Sequence, residues 1–412
     1  SMSWTGHRIT NEMNAFMKLN TMKSWEDFSE AVKNFGVPGQ NIIYADTAGN
    51  IGWRPAVYVP IRREGHSLIP RPGHDPNYDW DGYVPFEEMP YIFNPESGYI
   101  ATANNKTIDD KFPYYISGLW ADPSRAERIN ELIEPLNNAT VDNMKSIQLD
   151  TVSPFAREMC TLLLQFDFSF DDDKITKIIN DLKKWDGGEG SDSQEALFFH
   201  SIIKELAHNI YGDELSLLGE NYLEAFLGLK YLYTRNLRVL LKKGHSSWFD
   251  NITTKIKEES MEDIIKLSII KGINTVFEKY GYKKENTVWG KAHSLTHPHL
   301  LGKESLLNKI FGLNVGPFLS GGSDKTVRAG GFSYLNPFEQ TAGASMRRIV
   351  NFDNLDEIDF ILPTGQSGHP HSPHYKDQAF LYNKGKYKIT HFNEDKIRKN
   401  QTFRKMILLP ER

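Results

Sequence analysis

The sequence predicts an α+β protein in which a block of helices interrupts sheet-forming segments. Three observations predict it. Between about residues 123 and 285, apolar residues recur at helical spacing. On either side lie short apolar runs broken by glycine-containing turns. Between 54 and 98 stand eight prolines, from Pro55 to Pro95, and that density excludes long helices because each proline fixes φ and removes a backbone donor.

Residues 8–35 read as two helices. Met13, Phe16 and Met17 recur at i, i+3, i+4, and Ser24 opens a variant capping box ahead of Phe28, Val32 and Phe35. Residues 41–46 are a buried-strand run, 47–50 a turn and 51–53 the start of the return strand. In the helical block Asp173 is expected to cap a helix whose buried stripe is Ile175, Ile178, Ile179 and Leu182. Ser260 is expected to start another, carrying Ile264, Leu267, Ile270 and Val276. Gly187 to Ser191 reads as a linker within the helical set. From about 287 strands and turns return. The expected division is 1–122, 123–285 and 286–412: sheet, helical insertion, sheet. Independent helical and β domains are the alternative.

A chain of 412 residues, 39% hydrophobic and 25% charged, can bury two or three cores. Its net charge of −5 argues against a broad nucleic-acid surface. No run of 18 apolar residues exists, so no membrane span is expected. A single cysteine, Cys160, excludes an internal disulfide.

The most informative phrase is Asn94-Pro-Glu-Ser-Gly-Tyr-Ile-Ala-Thr-Ala-Asn-Asn105, followed by Trp120-Ala-Asp-Pro-Ser-Arg125. In order along the chain come Tyr44-Ala-Asp46, Gly49-Asn-Ile-Gly52, Pro70-Arg-Pro-Gly73, Asp79-Trp-Asp-Gly82 and Pro85-Phe-Glu-Glu88. Later stand Trp289-Gly290 with His293, His297-Pro298, Gly343-Ala-Ser-Met-Arg347, Gly365-Gln-Ser-Gly368 and Ser372-Pro-His-Tyr375 with Asp377-Gln378. Together these resemble the penicillin acylase family of N-terminal nucleophile hydrolases, over roughly the C-terminal two-thirds of a catalytic subunit.

The resemblance implies an αββα sandwich, incomplete here, and an amidohydrolase cleaving linear amides. In such enzymes a terminal serine is both nucleophile and, through its α-amino group, base. That serine is expected upstream of this chain, as are the alpha chain of the same precursor and autoproteolytic processing. Ser1 is not read as the nucleophile, because Met2-Ser3-Trp4 does not match the family's Ser-Asn-aromatic opening. The resemblance assigns the oxyanion-stabilising role to Asn104 and a supporting role to Arg125. From spacing alone the plainer reading is a turn at Asn104–Asn105 and a surface ion pair for Arg125. Phe16 and Gln40 fall at or near acyl-pocket positions. Gln40 is polar where phenylacetyl-selective members are apolar, so phenylacetyl amides are not the expected substrates. The partners implied are the upstream segment and a small-molecule amide, in a periplasmic or secreted setting. A non-catalytic binding module that keeps the scaffold is the rival from another class.

No cofactor is expected. Calcium is possible in the complete protein, but Phe112-Pro-Tyr-Tyr-Ile116 carries tyrosine where the resemblance calls for an acidic ligand, with Asp109 and Asp110 out of register, so no metal is assigned. His293, His297 and His299, and separately His369, His371 and His374, have metal-like spacing but are interrupted by prolines and read as loop histidines. Ser367 in Gly365–Gly368 lacks the spacing of a nucleophile elbow. The glycines after Pro317 lack a Gly-Lys-Ser/Thr ending for a phosphate loop. The basic stretch from Lys396 to Lys405 reads as a solvated face, and the Asn-x-Thr sites at Asn105, Asn138, Asn251 and Asn400 as chance.

Overall fold

A computed structural model of the chain describes residues 2–64, 66, 68–255, 257–335, 338–399 and 406–409. It divides into two compact units, Ser1–Ala126 and Glu127–Arg412.

In the first unit, helices Glu12–Leu19 and Trp25–Val32 lie against an antiparallel hairpin of strands Gln40–Ala45 and Ile51–Ala56. Its register runs from Gln40 opposite Ala56 to Ala45 opposite Ile51, and Ile92–Phe93 adds a third strand along Gly52 and Trp53. Ser24 caps the second helix by accepting from the Asp27 amide, as its sequence predicts. The core gathers Ala15, Phe28, Val32, Phe35, Tyr44 and Ala56. The stripe Met13, Phe16, Met17 does not join it: those residues are 72%, 50% and 65% exposed. The small Ala15 is the fully buried contact instead, with Leu19 one turn later packed against the same core. Glu12 holds the helix by its side chain, accepting from the Gly36 and Val37 amides at 3.1 and 3.0 Å. The proline-rich stretch forms short strands, Pro60–Arg62 against Trp80–Tyr83, and single 3-10 turns.

The second unit is built on the 24-residue helix Gln194–Leu217, buried along most of its first five turns from Ala196 to Gly212. The helix Asp173–Lys184 packs beside it through the four predicted residues, Ile175, Ile178, Ile179 and Leu182. Its cap is Asp172 rather than Asp173, one residue earlier: Asp172 keeps an extended backbone and its side chain accepts from the Lys174 amide, while Asp173 is already the first helical residue. Helix Met261–Tyr280 opens on the expected Ser260 with a capping box to Asp263. The buried face is Ile264, Ile265, Ser268, Ile269, Gly272, Ile273 and Val276, with Ile270 half-buried against the same core, so of the predicted stripe only Leu267 faces outward. The reason is the crossing. Ser201 Oγ donates to the Gly272 carbonyl at 2.8 Å, and a Cβ built on Gly272 would lie 2.7 Å from Ile202 Cα. The two backbones meet where the residues are small, and that turns Leu267 outward.

The Gly187–Ser191 segment is a packed junction instead of a linker. Ser153 N–H donates to the Gly187 carbonyl and Glu189 N–H to that of Thr151, while the Glu189 and Ser191 carbonyls accept from Gly322 and Gly290. A Cβ at Gly321 would meet the Glu189 carbonyl oxygen at 2.9 Å, so this approach requires glycine. The later segments form the hairpin Ser294–His297 with Val315–Leu319, a three-stranded sheet of Arg347–Val350, Glu357–Ile361 and Lys388–His391, and the short pair Gly330–Gly331 with Ala342–Gly343. Trp289, Phe332, Tyr334 and Phe338 from this region are buried in the same core as the helices. Among the described residues no helix is long and apolar enough to cross a membrane.

Glycine to alanine inside a helix ordinarily stabilises by about 0.5–1 kcal/mol. At Gly272 the sign should reverse. The clash with the Ile202 backbone should destabilise by about 1–3 kcal/mol, read as a lowered urea midpoint in Gly272→Ala.

Candidate active site

The Asn94–Asn105 phrase is tied down at its start. Asp46 organises the hairpin turn, with Oδ1 accepting from the Ala48 and Asn50 amides and Oδ2 from Tyr44 Oη and Asn50 Nδ2. Those bonds, Asn50's first and Tyr44's next, hold the Asp46 carboxyl down at about 2. Asn50 Oδ1 in turn accepts from Asn94 Nδ2 at 2.8 Å, and Asn94 Oδ1 accepts from Ile51 N–H at 2.9 Å. Asn94 has φ 47° and Asn104 φ 63°; these are the only non-glycine residues in the left-handed region among those described. Asparagine tolerates that region better than most side chains, and backbone held there concentrates at functional sites.

Asn104 and Arg125, 21 positions apart, are in contact. Arg125 Nη2 donates to Asn104 Oδ1 at 2.9 Å and to the Ala103 carbonyl at 2.7 Å. The Asn104 carbonyl accepts from Ala121 N–H at 3.0 Å. Arg125 sits in the first turn of helix Ser124–Ile133, half-buried, and Asp122 organises that turn through bonds from the Ser124 amide and hydroxyl. A guanidinium has donors only, so the carboxamide must turn its oxygen to Arg125. Its Nδ2 then points away, and among the described residues it donates to nothing. Asn104 itself is exposed. A side-chain amide in this state is a neutral, non-titrating donor with its orientation already set, which is what stabilisation of a developing oxyanion requires.

Phe16 and Gln40 lie on the helix Glu12–Leu19 and the strand Gln40–Ala45, outside the buried cluster between them. Phe16 packs edge-on against Phe35 with ring centroids 5.8 Å apart, and Gln40 is exposed at the start of its strand. Ser1 and Asn400 to Lys405 lie outside the described residues. Asp109 and Asp110 do not form a cation shell in this chain: Asp109 Oδ1 accepts from Lys111 N–H, and Asp110 pairs with Lys106. Tyr115 lies under the Arg62 guanidinium.

The other candidate clusters are dispersed. His293 is buried with Nδ1 at 2.7 Å from the Phe338 carbonyl and stacks on Trp289, whose other side meets His200. His299 caps the turn at Leu301, and His369 and Ser367 hold loop amides. Among the described residues no three His, Cys, Asp or Glu side chains gather around a common point. Lys325, placed after the glycines of the presumptive phosphate loop, is buried beside Asp324. What sequence reading missed is Asn105, whose side chain is bonded into the same turn; the Asn doublet was its only signal.

The sequence profile of the penicillin amidase family matches residues 1–399, and the chain belongs to that family. It is 27% identical over 423 residues to the acyl-homoserine lactone acylase QuiP of Pseudomonas aeruginosa, covering 97% of this chain and 50% of that protein. It is also 27% identical over 360 residues to the penicillin acylase 2 proenzyme of a Pseudomonas species, covering 85% of this chain and 43% of that one. The chain spans about half the length of the curated relatives it matches. Its fold is that of the thermostable penicillin G acylase from Alcaligenes faecalis, with a TM-score of 0.63 at 19% identity over 98% of this chain and 73% of that one.

Two outcomes are expected. Arg125→Ala removes a charged partner from two acceptors, a change of about 1.5–3 kcal/mol per bond. Hydrogen exchange should accelerate at the Ala121 amide and stay unchanged in the 40–56 hairpin. The second concerns pH. Burial pushes the His293 imidazole down to about 3. The unfolded chain protonates near 6.5 while the folded one does not, so this contribution is present above about pH 6.5 and lost as pH falls towards 3. Thermal unfolding between pH 7 and 5 should show a loss of up to about 1.4 kcal/mol per pH unit, flattened in His293→Gln.

Proposed function

We propose that this chain carries the oxyanion-stabilising part of an amidohydrolase that cleaves linear amides to a carboxylate and an amine. One observation carries the reading: the Asn104 carboxamide is held by its oxygen, and its Nδ2 donates to none of the described residues. Family membership supplies the reaction class. The nucleophile belongs to a segment of the complete protein outside this chain, where an N-terminal serine hydroxyl attacks the amide carbon. The carbonyl oxygen becomes an alkoxide, and Asn104 Nδ2 donates to it. Arg125, drawing on Oδ1, makes that donor stronger and keeps it aimed. Collapse expels the amine, which takes up a proton, and water then releases the carboxylate in a second passage through the same oxyanion. Each passage uses a donor whose orientation exists before substrate arrives, so no reorganisation opposes the transition state. Gln40, polar where phenylacetyl-selective members are apolar, speaks against phenylacetyl amides as the preferred substrates.

The test is turnover of an N-acyl homoserine lactone, a phenylacetyl amide and a longer N-acyl 4-nitroanilide. The complete precursor should hydrolyse at least one, and the isolated chain none. Asn104→Asp keeps the left-handed backbone and a bond to Arg125 but replaces the donor by an oxygen. It should lower kcat by about 10²–10³ with KM little changed. A complete precursor that processes normally yet turns over no amide would establish the non-catalytic module. Turnover by the isolated chain that vanishes in Ser1→Ala would place the nucleophile at Ser1.

A further inference from the structure

The turn that presents Asn104 is closed by its neighbour. Asn105 Oδ1 accepts from the Ala103 amide at 3.0 Å, and Asn105 Nδ2 donates to the Lys106 carbonyl at 3.1 Å. The first bond runs backwards, from the side chain of one residue to the amide two positions earlier. It can form only if the chain doubles back at the residue between them, and that residue is Asn104 with φ 63°. The ring closed by this bond therefore spans the backbone torsions of Asn104. The other side of the turn is held by Arg125 on the Ala103 carbonyl and by Ala121 on the Asn104 carbonyl. Ala103, buried and with both of its backbone polar groups engaged, is the fixed point of the arrangement.

We propose that Asn105 is a positioning residue for the reaction. It acts through Asn104, fixing the left-handed turn so that Nδ2 stands ready before substrate binds, and it touches no substrate itself. The proposal rests on the oxyanion reading of Asn104. The two adjacent asparagines divide the work. Asn104 turns its donor outward, and Asn105 spends both ends of its carboxamide on backbone. The chemistry at 105 is specific. The closing bond needs an acceptor two bonds beyond Cβ, which aspartate also offers and alanine does not. Loss of that bond frees the Asn104 torsions without deleting the donor. The effect should be smaller than loss of the donor itself, and it should fall on kcat, because the oxyanion forms only after binding.

The experiment is a double-mutant cycle in the complete precursor, with whichever acyl amide among the three above it hydrolyses as the probe. Asn105→Ala should lower kcat about tenfold with KM unchanged, and Asn105→Asp should recover most of that loss. In an Asn104→Gly background, which accepts the same backbone but has no donor, Asn105→Ala should change kcat less than about twofold. A role in stability alone would instead lower activity by the same factor in both backgrounds, and that result overturns the proposal. So does an unchanged kcat in Asn105→Ala alongside a large loss in Asn104→Gly. If Asn104→Gly leaves kcat intact, the oxyanion reading fails first and the positioning role falls with it.

Discussion

A guanidinium can donate hydrogen bonds but cannot accept one, and the Asn104 turn is organised around that limit. Because Arg125 offers only N–H groups, whatever faces it must be an oxygen, and it finds two: the Ala103 carbonyl and Asn104 Oδ1. The orientation of the Asn104 amide follows without further assumption. So does the direction of its polarity, with the positive end outward. A lysine could supply the same charge, but its ammonium lacks the planar fork that fixes direction. The left-handed backbone at Asn104 is the cost of bringing a carbonyl and the next side chain to one nitrogen. It is a local cost, met by three hydrogen bonds from different stretches of chain.

The same logic of forced partnership organises the second unit. Glu189 lies in a glycine-rich stretch that would be mobile if solvated, yet its backbone is paired on both sides and its carboxylate lies 3.3 Å from His200. His200 contacts Tyr334 and stacks on Trp289, and Trp289 donates to the Gly322 carbonyl. The pairing is incomplete: both Glu189 carboxylate oxygens and His200 Nε2 are buried with no hydrogen bond to a described residue, each a cost of about 1–3 kcal/mol that the surrounding packing offsets. The network ties segments from 189, 200, 289, 322 and 334 into one core, so the helices and the later strands are parts of a single packed body.

These two arrangements also show why family membership and local geometry carry different weight. Membership places the chain in the penicillin amidase family. It does not say which way an asparagine points. That comes from the donor set around the side chain, a matter of a few hydrogen bonds within 22 residues of sequence.

Sequence by itself determined the elements whose cause is local. Period and capping gave the helices that begin near 173 and 260, the cap at Ser24, the strand–turn–strand from 41 to 53 and the absence of long helices among the prolines, since each rests on interactions within a few residues. Ordered motifs along the chain were enough to name the family and to single out Asn104 and Arg125. What only the tertiary structure decided is which face of a helix is buried and which end of an amide is free. Met13, Phe16 and Met17 satisfy the helical period but face outward, and Leu267 gives way to Gly272, because burial depends on what lies opposite. Gly187 to Ser191 reads as a linker until Thr151 and Gly322 flank it. Asn105 reads as half of a turn until its side chain is seen closing on the amide of Ala103. Each of these turns on a neighbour distant in sequence or on a backbone torsion, and neither is written in the order of the residues.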